Sequence, residues 1–157
     1  MNIKSKPNFN KITNQLTIKE YTFDKKIIHQ HCEDWRKKYF GDSELILFPK
    51  TVKSLSNIVK ECANQKISIV PQGGNTSLVG GSVPRNGKSD IIINLKNLNK
   101  IRYLDKFGFS ILLESGCILE DIQNLVSKEN LTFPISMGSR GSCQIGGNIA
   151  TNAGGLN

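Results

Sequence analysis

The segment from Pro71 to Pro84, which we call the glycine loop, constrains this chain most, because it combines four glycines with small polar side chains. It directly follows apolar residues 67–70, which predict a short strand. Glycine lacks a β-carbon, so a ligand can touch its main chain, and consecutive N–H groups in such a turn form a concave anion site. The loop therefore predicts a phosphate site, with short donors beside it on Asn75, Thr76, Ser77 and Ser82.

Other interpretations of this loop are weaker. A surface loop or a tight hairpin is also rich in glycine, but rarely over such a length. A P-loop requires Lys followed by Ser or Thr after its last glycine, whereas Gly81 precedes Ser82 and Val83. A dinucleotide fingerprint opens a helix at its last glycine, which Pro84 and the polar residues up to Asp90 disfavour. Neither standard nucleotide loop fits the spacing.

A second glycine segment, residues 137–155, has six glycines among Ser, Asn, Thr and Ala. Two distant stretches of the chain are thus equally free of large side chains, so both could line one extended ligand. The alternative is that Gly146, Gly147 and Ala150 let a helix pack closely on a sheet. The two interpretations are compatible with each other.

Several ordered motifs carry a more specific signal. They are Pro71–Thr76, Gly80–Gly81, Pro134–Gly138, Gly141–Ser142, Gly146–Asn148 and Ala150–Gly155. In this order they resemble the FAD domain of the vanillyl-alcohol oxidase and p-cresol methylhydroxylase superfamily. Within it the D-2-hydroxyglutarate dehydrogenases are most similar, followed by the D-lactate dehydrogenases and the flavin subunit of glycolate oxidase. The resemblance runs from about Cys32 to the last residue.

The resemblance implies a set of cofactor-binding residues. The FAD diphosphate would be wrapped by Gly73, Gly74, Asn75 and Thr76, with the turn placed by Pro71 and Gln72. Ser77 belongs to the same set, although the family commonly has glycine there. The ribityl and phosphate region would lie beside Met137, Gly138 and Ser142, and the isoalloxazine and its linker would be approached by Gly146, Gly147, Asn148, Thr151, Asn152 and Gly154. Because His29 and His31 precede the resembling fold, the FAD is expected to be noncovalent.

The resemblance also implies what these residues do not supply. Family members continue with the second half of the FAD domain and then a substrate domain, which carries metal-binding His and Glu residues and an Arg for the substrate carboxylate. We therefore expect an incomplete gene product or fragment, inactive alone, with a divalent metal only in the absent C-terminal part. No catalytic residue and no metal ligand is assigned here, since Asp90, Glu114 and Asp121 are expected to be solvated framework residues, and His29 and His31 arm residues.

The apolar pattern predicts an α+β fold, which the resemblance specifies as the first part of a PCMH-type FAD-binding domain: a small βαβ subdomain and the start of a second. An opening segment to about Tyr21 is expected to be loosely ordered. Residues 24–40 predict a helix or irregular arm, so the domains are placed at 1–40 and 41–157. Strands are predicted at 45–48, 67–70 and 91–95, a hairpin at 101–113, and helices after Thr51 and around 118–126.

Composition excludes several classes of partner. The formal charge of +8 comes from scattered lysines, and the few aromatic residues form no stacking platform, so nucleic-acid binding is not expected. No apolar run reaches the roughly 20 residues that span a bilayer. The four cysteines have no C-x-x-C spacing and predict structural thiols. The lysine-rich start fits a mitochondrial presequence poorly, so a cytoplasmic location is expected, with a mitochondrial one open for a eukaryotic protein.

Two hypotheses of different class follow. In the first, the chain is the FAD-binding portion of a dehydrogenase that oxidises a D-2-hydroxyacid by hydride transfer to flavin, with D-2-hydroxyglutarate preferred, D-lactate or glycolate as alternatives, and an electron acceptor of unknown identity. In the second, it is a noncatalytic remnant or FAD-binding module that lacks the substrate domain.

Overall fold

The computed structural model of the protein describes residues 7–86 and 90–154. Strands β1 to β4 form one sheet in the order β1-β2-β4-β3, and β5 and β6 form a second sheet of two strands. A 3-10 turn covers Ile18–Glu20. The helices and strands, in chain order, are α1 (Asn10–Thr13), β1 (Tyr21–Thr22), α2 (Lys25–His31), β2 (Ser43–Leu47), α3 (Val52–Gln65), β3 (Ile69–Gln72), β4 (Asp90–Asn94), β5 (Ile101–Asp105), β6 (Ser110–Leu113), α4 (Leu119–Ser127) and α5 (Ile145–Ala150).

The larger sheet is built around a parallel β-α-β unit. Strands β2 and β3 both run parallel to β4, which lies between them, and α3 connects β2 to β3. Strands β2 and β4 are buried on both faces, as is usual for parallel strands. One face packs with residues of α1 and α3 and the other with residues of α2. The predicted unit is confirmed, with β4 inserted between its two outer strands.

Helix α3 begins where the sequence predicts. The Thr51 hydroxyl accepts a hydrogen bond from the Ser54 N–H at 3.0 Å and so caps the first turn. Ile58 and Cys62 are buried, whereas Val52 and Val59 of the predicted apolar stripe are 61% and 43% exposed. The buried face of α3 is therefore narrower than the sequence pattern indicates.

The opening segment is ordered from residue 7 onward, and the prediction of a loose segment is wrong for these residues. Ile12 of α1 is 1% exposed and packs in the core beside α3, and β1 pairs with β2. The Gln65 side chain also donates to, and accepts from, the main chain of Asn8. The apolar residues of this segment, whose irregular spacing predicts neither a helix nor a strand, thus complete the core. The domain boundary at about residue 40 stays a prediction.

Strand β3 lies two residues further along the chain than predicted, at Ile69–Gln72 instead of 67–70. Pro71 and Gln72 are paired with Ile93 and Asn94 of β4, so the first two residues of the glycine loop belong to the strand. A proline is tolerated here because β3 is an edge strand, where no neighbour requires its missing N–H on the outer side. Gly73 therefore leaves the sheet at the carboxyl end of the parallel strands.

The second part of the chain begins with the predicted hairpin of β5 and β6. Its turn is closed by Asp105, whose Oδ1 accepts from the N–H groups of Phe107 and Gly108 at 3.0 and 2.9 Å. Helix α4 buries Leu119, Ile122 and Val126 as its spacing predicts. No helix among the described residues combines the length and the apolarity needed to cross a membrane.

Candidate functional site

The two glycine segments lie against each other. A β-carbon on Gly74 would overlap the carbonyl oxygen of Ser142, and one on Gly73 would stand 3.1 Å from the Oε1 of Gln144. The absence of a side chain at Gly74 therefore lets the second segment approach the end of β3. This contact supports the expectation that the two glycine segments lie close enough to line one ligand site. The sequence alone cannot show the contact.

The main-chain N–H groups of residues 73–78 are free. In the described part of the chain none of them donates to a protein acceptor, and the next one, on Val79, donates to the Ser77 hydroxyl at 3.3 Å. Within this run Asn75 has φ 55°, a left-handed conformation of the kind that makes successive N–H groups converge. The turn is half-buried to exposed, so a ligand can reach these donors. Buried N–H groups normally have a partner, so a run of donors that no described residue uses is available to an acceptor from outside the chain.

Some polar side chains of the glycine loop form hydrogen bonds within the protein, where the sequence predicts donors to a ligand. Asn75 donates to the Glu33 carbonyl at 2.8 Å and accepts from the Ser82 hydroxyl at 2.7 Å. In this conformation the Ser82 hydroxyl proton and one of the two Nδ2 protons of Asn75 are used within the protein, which leaves the second Asn75 proton for a ligand. The hydroxyl protons of Thr76 and Ser77 have no protein acceptor among the described residues.

Gln72 fixes the start of the turn. Its side chain is 1% exposed, and its Nε2 donates to the carbonyls of His31 and Ser82 at 2.9 and 2.8 Å. Its Oε1 accepts from Asn94 at 3.2 Å and lies 2.5 Å from the Nδ1 of His31. His31, which is expected to precede the fold proper along the chain, thus contacts the strand that leads into the glycine loop.

The second glycine segment enters helix α5. Asn148 is 6% exposed and turns inward, with its Nδ2 3.5 Å from the Sγ of Cys143 and 3.8 Å from the Sδ of Met137. Thr151 donates back to the carbonyl of Gly147 at 2.8 Å. Three of the predicted cofactor-binding residues, Met137, Asn148 and Thr151, thus make contacts that hold the segment together.

The glycines of the second segment are of two kinds. A β-carbon on Gly146 would stand 2.5 Å from the Ser115 side chain, so glycine is required there for packing. This contact agrees with the alternative of close helix packing, although the partner is a turn after β6. By contrast, a β-carbon on any of Gly138, Gly147 and Gly154 would meet no other part of the described chain within 4 Å. These three positions face open space, where a bound ligand could come close to the main chain.

Gln144, which the sequence analysis does not single out, lies beside the start of the glycine loop. Its side chain is 8% exposed, and its Oε1 has no hydrogen-bond partner in the described structure. It lies between Gly73 and a cavity of about 230 Å³ that is also lined by Lys96, Gly116 and Asp121. Its position directly before Ile145, Gly146 and Gly147 is the only sequence signal for it, and an argument from glycines alone does not use that signal.

The carboxylates considered for acid or base chemistry lie on the framework. Glu114 is only 8% exposed, so the expectation that it is solvated is wrong. It accepts from the Lys100 N–H at 2.8 Å and pairs with Arg102. These contacts, led by the hydrogen bond from Lys100, hold the pKa of Glu114 below its usual value despite burial. Glu114 is thus a structural carboxylate, and the Asp90 side chain lies outside what the structure describes.

Comparison with known proteins identifies the family. The family described as FAD binding domain matches residues 43–157. A mitochondrial D-2-hydroxyglutarate dehydrogenase of Arabidopsis thaliana is 42% identical over 85% of this chain and 23% of its own length. A Schizosaccharomyces pombe protein named for mitochondrial D-lactate dehydrogenase is 47% identical over 78% of this chain and 23% of its own length. The chain therefore spans about a quarter of the curated relatives that it matches.

Solved structures agree on the fold. An alkyldihydroxyacetonephosphate synthase superposes with a TM-score of 0.83 at 17% identity, over 94% of this chain and 30% of that one. A substrate-bound p-cresol methylhydroxylase superposes with a TM-score of 0.74 at 19% identity, over 89% of this chain and 28% of that one. The predicted α+β fold of the PCMH type is confirmed, and the chain belongs to the family described as FAD binding domain.

Proposed function

We propose that this chain binds FAD noncovalently, and that the glycine loop holds the diphosphate of the cofactor. The observation that carries this proposal is the run of free N–H groups on residues 73–78 at the carboxyl end of β3. A diphosphate offers several acceptor oxygens to such a turn, and no charged side chain is needed within it. The family match supports FAD as the compound that brings this diphosphate.

The residues present fit the cofactor in two places. Main-chain donors of Gly73, Gly74, Asn75, Thr76 and Ser77 would hold the diphosphate, with Pro71 and Gln72 fixing the start of the turn. Met137, Gly138 and Ser142 would lie beside the ribityl and phosphate region. The open glycines Gly138, Gly147 and Gly154 would admit the cofactor to the main chain of the second segment, together with Gly146, Asn148, Thr151 and Asn152.

We further propose that this domain serves a D-2-hydroxyacid dehydrogenase, with D-2-hydroxyglutarate as the preferred substrate and D-lactate or glycolate as alternatives. The names of the relatives support this substrate class. Bound FAD would supply the hydride acceptor. The described residues would bind and orient the cofactor, while substrate and metal ligands would come from outside them. Two of these relatives are named as mitochondrial, which supports the mitochondrial alternative for location.

A noncatalytic role is the second candidate. Among the described residues no group of three or more His, Cys, Asp or Glu side chains could hold a metal ion, and the buried Glu114 is engaged by Lys100 and Arg102. In this case the chain would bind FAD and carry out no oxidation by itself. It could also have lost cofactor binding altogether.

Titration of the purified chain with FAD tests the first proposal. Binding should quench flavin fluorescence and shift the visible absorbance bands, and FMN, which has one phosphate, should bind more weakly than FAD. A chain that takes up no FAD from excess cofactor would contradict the proposal. Reduction of an artificial dye by D-2-hydroxyglutarate, D-lactate or glycolate then separates the substrate alternatives for an enzyme that contains this domain. A salt-sensitive retention of DNA would instead favour nucleic-acid binding, which we do not expect.

A further inference from the structure

The segment that begins at the last residue of α2, residues 31–39, lies across the glycine loop, and we call it the clamp segment. At its start the His31 carbonyl accepts from Gln72 and the His31 ring contacts the Gln72 oxygen. Two residues further, the Glu33 carbonyl accepts from the Asn75 side chain at 2.8 Å. These contacts fix the first half of the glycine loop from one side.

The end of the clamp segment fixes the second half. The guanidinium of Arg36 donates to the carbonyl of Leu78, and the ring of Tyr39 lies 2.6 Å from where a β-carbon on Gly80 would stand. The clamp segment itself is folded around Asp34, whose side chain is almost fully buried. Asp34 accepts from the N–H groups of residues 38 and 39 at 2.6 and 2.8 Å.

None of these contacts uses a main-chain N–H group of residues 73–78. The clamp segment contacts the side chains of Gln72 and Asn75 and the carbonyl of Leu78. It also packs the ring of Tyr39 against Gly80, which has no side chain. The loop is therefore held in shape while its donors stay available. Donors preset in this way lose little conformational freedom when a ligand binds, which raises affinity.

We propose that the clamp segment presets the glycine loop for the diphosphate, and that His31 is its positioning residue through Gln72. This inference rests on the proposed function. It places residues needed for cofactor binding before residue 43, where the family match begins. His31 touches no ligand in this scheme and acts by holding the Gln72 amide.

The hydrogen bonds assign the proton on the His31 ring. Because the Gln72 Nε2 donates to two carbonyls, its Oε1 must be the acceptor of the 2.5 Å contact with His31. The His31 Nδ1 therefore carries a proton. Asparagine places a side-chain N–H near the same position as the imidazole Nδ1, whereas leucine fills the space against Phe48 without a donor.

Cofactor affinity gives the first test. In FAD titrations of the full chain, His31→Leu should raise the Kd about five- to tenfold, the effect of one hydrogen bond, and His31→Asn should recover most of the loss. His29→Leu is the matched control, because His29 lies exposed on the same helix, and its Kd should equal that of the unchanged chain. Equal affinity for His31→Leu and the unchanged chain would overturn the inference while leaving the proposed function intact.

A second test needs no cofactor. Two-bond ¹H–¹⁵N correlation spectra at pH 8 should show His31 as the Nδ1–H tautomer, and His31→Leu should shift the amide signals of residues 73–83 while His29→Leu does not. An unchanged loop spectrum in His31→Leu, or an Nε2–H tautomer of His31, would contradict the clamp. If the unchanged chain takes up no FAD, the proposed function fails, and these spectra still decide whether His31 positions the loop.

Discussion

The carbonyl oxygen of Ser142 occupies the space that a β-carbon would need at Gly74. This contact joins the end of β3 to the second glycine segment, so an alanine at position 74 must push the two apart. We expect Gly74→Ala to lower the free energy of unfolding by about 1–3 kcal/mol, as overpacking commonly does. Urea denaturation followed by circular dichroism measures this change.

Gly81→Ala is the matched control for this prediction. It lies in the same loop, has no positive φ, and would place its β-carbon in open space. Its unfolding free energy should stay within about 0.5 kcal/mol of the unchanged chain. Equal losses in the two variants would mean that the contact between Gly74 and Ser142 does not hold the segments together.

A substitution at Gly147 tests whether this glycine is needed for ligand binding or for packing. It lies within α5, where no atom of the described residues outside its own helix lies within 4 Å of an added β-carbon. Gly147→Ala should therefore stabilise the chain slightly, by up to about 1 kcal/mol, because alanine favours the helix. If FAD approaches the main chain here, the same variant should bind FAD at least several-fold more weakly.

Gly146→Ala is the comparison variant, because it should destabilise the chain where Gly147→Ala stabilises it. Its β-carbon would press on Ser115, so its unfolding free energy should fall whether or not FAD is present. A Gly147→Ala variant that binds FAD normally would remove this glycine from the proposed site.

Most of the framework could be predicted from the sequence, because it rests on local signals. The Thr51 cap, the apolar spacing of α4 and the hairpin turn at Asp105 each lie within a few residues of the element that they define. The glycine loop was found for the same reason, since the freedom of glycine is a property of single residues.

What the sequence could not show depends on contacts between distant residues. His31 lies 41 positions from Gln72, and Asn75 lies 42 positions from Glu33, so no local pattern links them. The buried state of Glu114 likewise follows from its pairing with Arg102 across the hairpin. The sequence also cannot distinguish the glycines that allow close packing from those that face open space, because both are the same residue type.

Gln144 should tolerate the loss of its amide better than Gln72. The Oε1 of Gln144 is buried without a partner, and such an atom costs about 1–3 kcal/mol, so Gln144→Met should be at least as stable as the unchanged chain. Gln72→Met removes several hydrogen bonds at once and should lose about 2 kcal/mol or more. Thermal unfolding without FAD compares them, and similar losses in both would show that Gln144 has a protein partner.

Stability should fall at acid pH because of buried carboxylates. Despite the opposing effect of burial, main-chain hydrogen bonds from Tyr39 and Lys38 keep the pKa of Asp34 below its usual value, and the pKa of Glu114 is lowered mainly by the hydrogen bond from Lys100. A lowered folded-state pKa stabilises the chain above the unfolded-state pKa, and this stabilisation is lost as the pH falls through the folded-state value. The melting temperature should therefore drop below about pH 4.

Glu114→Gln tests the origin of that loss. It should melt at a lower temperature than the unchanged chain at pH 7, because the pairing with Arg102 is gone, and its melting temperature should decline less between pH 5 and pH 3. Glu129→Gln is the control, since Glu129 pairs with Lys106 on the surface. If Glu114→Gln keeps the full acid decline, the loss has another source.

The cysteines should be unreactive in the folded chain. All four are free and buried, and burial raises the pKa of both Cys32 and Cys62 to about 11. At pH 8 only about one in a thousand of these two thiols is a thiolate, and the thiolate is the reactive form. Ellman's reagent should therefore label the native chain over hours and the urea-unfolded chain within minutes. Rapid labelling of a native cysteine, located by mass spectrometry, would show that its part of the core opens readily, and for Cys32 it would mean that α2 separates from the sheet and releases the clamp segment.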